Sequence, residues 1–289
     1  MLRLVTIPIS HYCEKARWAL DRAGVVYREE RHIQGVHQIV ARRAGGGRTV
    51  PVLVTPDQVL AESADILVWA DERTPPDERL FPEEPEARAE VEALCVRFDE
   101  VLGPSGRRLM YVLMLPEREL MLSFNNAGVP RWEDRFIRVA WPVITKFAAR
   151  ELGIKPGIER EDEGIVWREF DFVAELLSDG RRYLCGERFS AADLTFASLA
   201  GPAVVPPEYA VELPQPDVLP PVARALVERA RDHPAGRHAL KLFRDHRAPR
   251  RPESGPAPAR GRRRPRQAGR DSSPSPAGGT PRGRPDPGA

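Results

Sequence analysis

An α/β domain followed by an all-helical domain and a basic tail is the fold class the sequence predicts, and three observations carry it. Short β-like runs alternate with helical periodicity through the first seventy-odd positions, and TPPDERLFPEEPEA, rich in proline and acid, then interrupts the chain. Beyond it, apolar residues recur at helical spacing and no strand pattern stands out. The expected organisation is an α/β domain over 1–74, a linker over 75–87, a helical domain over 88–246 and a tail over 247–289.

The elements follow in order. LRLVTI reads as a strand, ended by Pro8 and Ser10. From Cys13 onward, Ala16, Ala19, Leu20 and Ala23 recur at helical spacing, Lys15, Arg17 and Arg22 take other faces, and Gly24 supplies the stop. VVYREE is a second strand, and QGVHQIVARRAGGG a loose helical or loop segment ending in glycines. Val52–Val54 and Val59–Leu60, joined by TPDQ, form a hairpin; Ser63 then caps a helix whose apolar stripe is Ile66, Leu67 and Ala70. The order is β-α-β-α-β-β-α. In the second domain, AEVEALCVRFDEVLG turns Val91, Leu94, Cys95, Phe98 and Leu102 inward, which makes Cys95 a small core residue. RLMYVLMLP, RWEDRFIRVAWPVITKFAARELGI and WREFDFVAELLSDG continue the helical pattern, with Pro142 expected to kink or interrupt its segment. In RFSAADLTFASLAGP, Ser190 and Asp193 have the spacing of a capping box with Asp in place of Glu, Phe189 and Leu194 that of a hydrophobic staple, and the nearly uncharged helix behind them should be buried.

Composition bounds the function. With 289 residues, 42% hydrophobic and 30% charged, the chain has enough apolar mass for real cores. No stretch approaches the ~18 consecutive apolar residues of a membrane span, and MLRLVTIPIS is too polar for a secretory leader, so a cytoplasmic protein that does not enter membranes is expected. Three widely spaced cysteines (Cys13, Cys95, Cys185), without CxxC or paired histidines, give neither a disulfide framework nor a zinc site; no metal is expected. His233, His238 and His246 read as solvated positions on a helix face. From Arg247 to Ala289 there are eleven arginines against three acidic residues, a surplus of eight positive charges in a chain of net +2, so 1–246 is net negative by six. The tail has no Val, Leu, Ile, Met or aromatic residue, cannot build a core and is expected to be disordered, either as a passive extension or as a weak polyanion-binding arm.

SHYCEKARWAL after the first strand, TVPVL before the hairpin, ES at the third helix, LFP in the linker and FSAADLTFASLA in the second domain, in that order, resemble a cytosolic glutathione transferase over roughly residues 2–246. The resemblance implies a thioredoxin-like first domain, an all-helical second domain, a homodimer, glutathione as co-substrate and a small hydrophobic electrophile as its target, an activity of the detoxification kind. Glutathione brings two carboxylates, an ammonium, amides and a thiol. By resemblance Val50-Pro51 is cis and the Val50 backbone pairs with the cysteinyl part of the ligand. Ser63, at a helix N-terminus, meets the γ-glutamyl carboxylate and Glu62 the ammonium. Read without the resemblance, Glu62 and Ser63 are an ordinary helix cap with a favourable acid beside it. The family's frequent lysine two residues before the proline is Thr49 here, which leaves Arg48 or His37 for the glycyl carboxylate. Met110, Tyr111, Met114 and Phe124 have the character of a hydrophobic pocket or of core.

Ser10 and Cys13 leave three readings open. Ser10 stands where a CxxC motif has its first thiol, so its hydroxyl can donate to the glutathione sulfur and favour thiolate. Alternatively Cys13 is itself the reactive thiol and exchanges disulfides with glutathione, although it stands at the inner position of such a motif. In the third reading Cys13 is packing and the fold is a non-catalytic binding module.

Overall fold

The computed structural model describes residues 1–247. Strand β1 (Leu2–Thr6) leads into helix α1 (His11–Arg22), β2 (Tyr27–Arg31), α2 (Val36–Arg43), β3 (Val52–Val54), β4 (Val59–Leu60) and α3 (Ser63–Asp71). The sheet order is β2-β1-β3-β4, with β1 and β2 parallel and the other pairs antiparallel. This is the predicted β-α-β-α-β-β-α order, and QGVHQIVARR closes into a regular helix. Everything after α3 is helical or connecting: α4 (Pro85–Arg97), α5 (Gly103–Met114), α6 (Arg118–Asn125), α7 (Arg131–Glu151), α8 (Ile158–Leu176), α9 (Ala191–Val204), α10 (Pro221–Asp232) and α11 (Pro234–His246). A π-helical turn at Phe98–Leu102 joins α4 to α5 without a break. The thioredoxin-like α/β unit and the all-α remainder are therefore the observed classes.

Local chemistry explains the helix starts. Ser10 caps α1, its Oγ accepting from Cys13 N at 3.4 Å; the Glu84 carboxylate caps α4 through Glu86 N and Ala87 N at 3.0 and 2.6 Å. At α9, Asp193 accepts from Ser190 N (3.0 Å) and Ser190 Oγ (2.7 Å), and its other oxygen from Leu184 N (2.9 Å), so the predicted box also ties the preceding loop to the helix. Helix α9 is buried nearly throughout, as its uncharged sequence requires. Helix α7 runs through Pro142 rather than stopping there.

One apolar core spans both domains. Trp18 of α1 lies 4.7 Å from the Phe243 ring of α11, and Phe98 lies 5.2 Å from Phe196 of α9. Because α1 is covered by the sheet and α3 on one side and by the helical domain on the other, its charged faces are buried as well: Glu14, Lys15 and Arg17 are each 0% exposed. The expectation that Lys15 and Arg17 lie on separate, polar faces fails for this reason. Each charge is instead matched. Lys15 Nζ meets Asp99 Oδ2 at 2.6 Å, and Arg17 reaches Glu29 (2.7 Å), Glu14 (3.3 Å) and the Ile7 carbonyl (3.2 Å). Burial alone would raise the Glu29 carboxyl, but Arg17 and Arg31 hold it well below the ordinary carboxylate range.

The end of the described chain also departs from expectation. Arg247, assigned above to the tail, is 6% exposed and inserts beside α1, with Nε 2.7 Å from Glu14 and an Nη 3.0 Å from Asp21. The remaining tail expectations, 248–289, fall outside the described residues. The three histidines are not simply solvated. His246 stacks on Phe189 with centroids 4.1 Å apart, His233 pairs with Asp171 at 3.1 Å, and His238 is buried 3.6 Å from Asp193. Cys95 is core, as expected. No helix among the described residues is long and apolar enough to cross a membrane.

Candidate active site

A cleft of about 300 Å³ opens between the α/β domain and helices α5, α6, α7 and α9. Its α/β wall carries Ile9, Ser10 and His11 at the start of α1, Gln34, His37 and Gln38 around α2, and Arg48, Thr49 and Val50 before β3. The helical wall carries Arg107, Met110, Tyr111 and Met114 of α5, and Met121 and Phe124 of α6. The sequence-based pocket set Met110, Tyr111, Met114 and Phe124 is thus brought together, and Ser10 and Val50 face it across the cleft. Val50-Pro51 is cis.

The other predicted residues, Pro51, Glu62 and Ser63, border the α/β wall without lining the cleft, and the Glu62 charge is felt by Tyr12 of α1. Ser63 is buried in the first turn of α3, and Glu62 occupies the exposed N-cap position, with no hydrogen bond from its side chain to the helix end. Partial burial, and then the negative charges of Asp65 and Asp99, raise the Glu62 carboxyl, while Lys15 opposes the rise. Cys13 is 0% exposed and absent from the cleft lining; burial pushes its thiol up, against the smaller opposing effects of Arg17 and Ser10. Ser10 is half-buried; its oxygen accepts from Cys13 N, and its hydroxyl is within hydrogen-bonding reach of the Cys13 thiol, which is how it opposes the rise there.

Of the two candidates for the glycyl carboxylate, both line the cleft but only one is a cation near neutral pH. Burial lowers His37 to about 4, with the Ile33 carbonyl opposing. Arg48 is charged and pairs with Glu151 of α7 at 2.7 Å, at the rim.

Several cleft residues escaped the sequence reading. His11 donates Nε2–H to the Gly103 carbonyl at 3.0 Å, and burial together with the nearby Arg107 charge lowers it to about 3. Gln34 pairs its amide reciprocally with Asn125, both contacts 2.6 Å, and reaches Tyr111 Oη at 2.7 Å. Val205, at the C-cap of α9, has φ 46°, a costly left-handed conformation for a β-branched residue; Arg231 holds the turn by donating to the Val204 and Val205 carbonyls at 2.8 and 2.6 Å. Neither His11 nor Gln34 belongs to a periodic pattern, and contacts between positions ninety residues apart leave no local signal. Among the described residues, no group of three or more His, Cys, Asp or Glu side chains is placed to hold a metal ion.

His11 has a measurable consequence. Its folded pKa, about 3, lies below the ordinary 6.5, so the unfolded chain binds more protons between these values and stability falls as pH drops through that window. The slope contributed by one such group reaches about 1.4 kcal/mol per pH unit. Urea melts of His11→Gln across the window should show a shallower acid slope than the wild type; an unchanged slope rules His11 out as its source.

Residues 4–79 match the family model of the glutathione S-transferase N-terminal domain. The fold as a whole is similar to that of a possible glutathione S-transferase from Rhodopseudomonas palustris (15% identity, 85% of this chain and 94% of that one, TM-score 0.54). It is likewise similar to a β-etherase from Sphingobium sp. strain SYK-6 (17%, 83% and 98%, 0.51), and to a glutathione S-transferase from Methylobacillus flagellatus KT solved with glutathione bound (17%, 86% and 100%, 0.50). No curated protein matches the chain. The first domain is thus a glutathione S-transferase N-terminal domain, and the two-domain arrangement has the fold of those proteins.

Proposed function

We propose that this protein, with a glutathione S-transferase N-terminal domain and the matching overall fold, binds glutathione and delivers its thiolate to a small hydrophobic electrophile. The observation that carries the reading is the placement of Ser10. Ser10 lines the cleft at the N-terminus of α1, with its oxygen engaged by Cys13 N, and its hydroxyl proton can turn from the neighbouring Cys13 thiol to a bound sulfur. A donated hydrogen bond and the positive end of the helix both favour thiolate over thiol, lowering a pKa that is ~8.5 for a free thiol.

The other ligand groups are assigned in the same way. The Val50 backbone pairs with the cysteinyl segment, Glu62 and Ser63 at the α3 N-terminus receive the γ-glutamyl group, and Arg48, exchanging part of its pairing with Glu151, receives the glycyl carboxylate. The electrophile lies against Met110, Met114 and Phe124. A cytoplasmic homodimer accords with the resemblance noted in the sequence. Thiol exchange at Cys13 is disfavoured by that residue's full burial and raised pKa, since the attacking species must be an accessible thiolate.

The test is Ser10→Ala beside Cys13→Ala. In Ser10→Ala, bound glutathione should lose ultraviolet thiolate absorbance, the pH-rate profile should move upward, and kcat/KM at neutral pH should fall by roughly ten- to a hundredfold. Ser10 is also a helix cap, worth ~1 kcal/mol, so Tm is measured in parallel. Cys13→Ala should leave conjugation within twofold of the wild type. If Cys13→Ala abolishes turnover while Ser10→Ala does not, Cys13 is the working group; a wild type that binds no glutathione returns the fold to a binding module.

A further inference from the structure

We propose that Arg107 and Tyr111 form a subsite for an anionic group, a carboxylate, sulfonate or phenolate, carried by the otherwise apolar second ligand of the cleft. The inference rests on the reading above and names the chemical class of that second ligand.

The two residues stand four apart on α5 and therefore on one face, and both line the cleft beside Met110 and Met114. Arg107 is a cation whose surroundings supply no counter-charge. Its buried Nε has no hydrogen-bond partner, and among the described residues no carboxylate comes within ion-pair distance of its guanidinium. The titratable groups that feel its charge are His11, Tyr12 and Tyr111, all neutral near pH 7, and the Tyr12 ring lies 5.8 Å from it. The fully buried cations of α1 are matched by carboxylates, Lys15 by Asp99 and Arg17 by Glu29, and the partly buried Arg22, Arg224 and Arg231, which have no ion pair among the described residues, donate to backbone carbonyls instead. A guanidinium facing an apolar cleft is costly unless an anion joins it, and its planar donor fork suits a carboxylate or sulfonate.

Tyr111 is oriented to help. The Asp134 carboxylate can only accept, so the Asn126 Nδ2 at 2.8 Å must point to it, which turns Asn126 Oδ1 toward Asn125 Nδ2 at 3.3 Å. Asn125 then presents Nδ2 to Gln34 Oε1 and Oδ1 to Gln34 Nε2, and Gln34 Nε2 is left to donate to Tyr111 Oη at 2.7 Å. The phenol is the acceptor in that bond. Its own proton is thereby kept for a partner in the cleft, one helical turn from the guanidinium. A fixed cation and a hydroxyl with a committed lone pair make a two-point receptor for oxyanions.

The test uses two fluorescent probes on the full chain. 8-Anilino-1-naphthalenesulfonate carries the anion, and N-phenyl-1-naphthylamine has the same rings without it; glutathione binding is followed separately by calorimetry. Arg107→Met should weaken the sulfonate probe at least tenfold and the neutral probe less than twofold, with glutathione affinity and the circular dichroism spectrum unchanged. Tyr111→Phe should weaken the sulfonate probe about threefold. Added KCl should weaken sulfonate binding to the wild type more than to Arg107→Met. Equal losses for both probes, or no loss for either, overturn the subsite. A parallel loss of glutathione affinity also overturns it, because Arg107 would then serve a glutathione carboxylate. Absence of glutathione binding in the wild type overturns the transferase reading alone, since the probe titrations still report on Arg107.

Discussion

Glu14→Ala is expected to lower the free energy of unfolding by about 3–5 kcal/mol, the range for removing one member of a buried ionic cluster. The Glu14 carboxylate is 0% exposed and accepts from Arg247 Nε at 2.7 Å, from Ala210 N at 3.2 Å and from Arg17 Nη1 at 3.3 Å. Truncation strips a buried guanidinium of its nearest anion and leaves a backbone N–H unpaired. Glu14→Gln keeps the shape and one acceptor, so its loss should be smaller, about 1–3 kcal/mol. Denaturant unfolding of the three proteins decides the matter; a loss below 1 kcal/mol in Glu14→Ala would show that water or other partners replace the carboxylate.

Gly236→Ala should cost about 3 kcal/mol or more, at the upper end of overpacking effects. A Cβ at Gly236, in the first turn of α11, would overlap the Ala230 carbonyl of α10, and it would also lie 3.4 Å from Val204 Cγ1. The obstacle is backbone, so no rotamer change relieves it, and the two helices must part. Gly164→Ala is the matched control. Within α8 its Cβ would meet only the tip of the Arg168 side chain at 3.5 Å, and replacing a mid-helix glycine should stabilise by roughly 0.5–1 kcal/mol. Thermal melts that rank these two the other way would refute the packing argument.

The fold was legible because its signals are local. Alternating runs, the TPDQ turn, the Ser190 and Asp193 spacing and the uncharged α9 stretch each act within a few residues, and each element appears where its pattern lies. What the sequence could not reveal depends on distant partners. Lys15 and Arg17 look like surface charges until the helical domain covers α1, and Arg247 looks like the first residue of a solvated tail until Glu14 and Asp21 are placed beside it. The candidate site divides in the same way. Ser10 is readable from its place ahead of Cys13, Val50 only through the resemblance to a known family, and the Met and aromatic positions equally well as core or pocket. Arg107 is not readable, because an arginine among Met110 and Met114 reads as an exposed charge unless one knows that this face turns toward a cleft. Gln34 has no signal at all: its role exists only through Asn125, Asn126 and Asp134 on other elements.

The covering of α1 bears on how this protein can come apart. Tyr209 donates to the Ile9 carbonyl at 3.2 Å, Trp18 Nε1 to the His246 carbonyl at 3.2 Å, and Tyr12 to the Asp99 carbonyl at 2.7 Å, so α1 and the turn that leads into it are fastened at three separated points to the second domain. Pulling the two domains apart would wet Trp18 and strand Lys15 without its anion. The change of fold type near residue 75 is therefore not a seam in the energetics, and the two halves should melt in a single cooperative transition, with calorimetric and van't Hoff enthalpies in agreement.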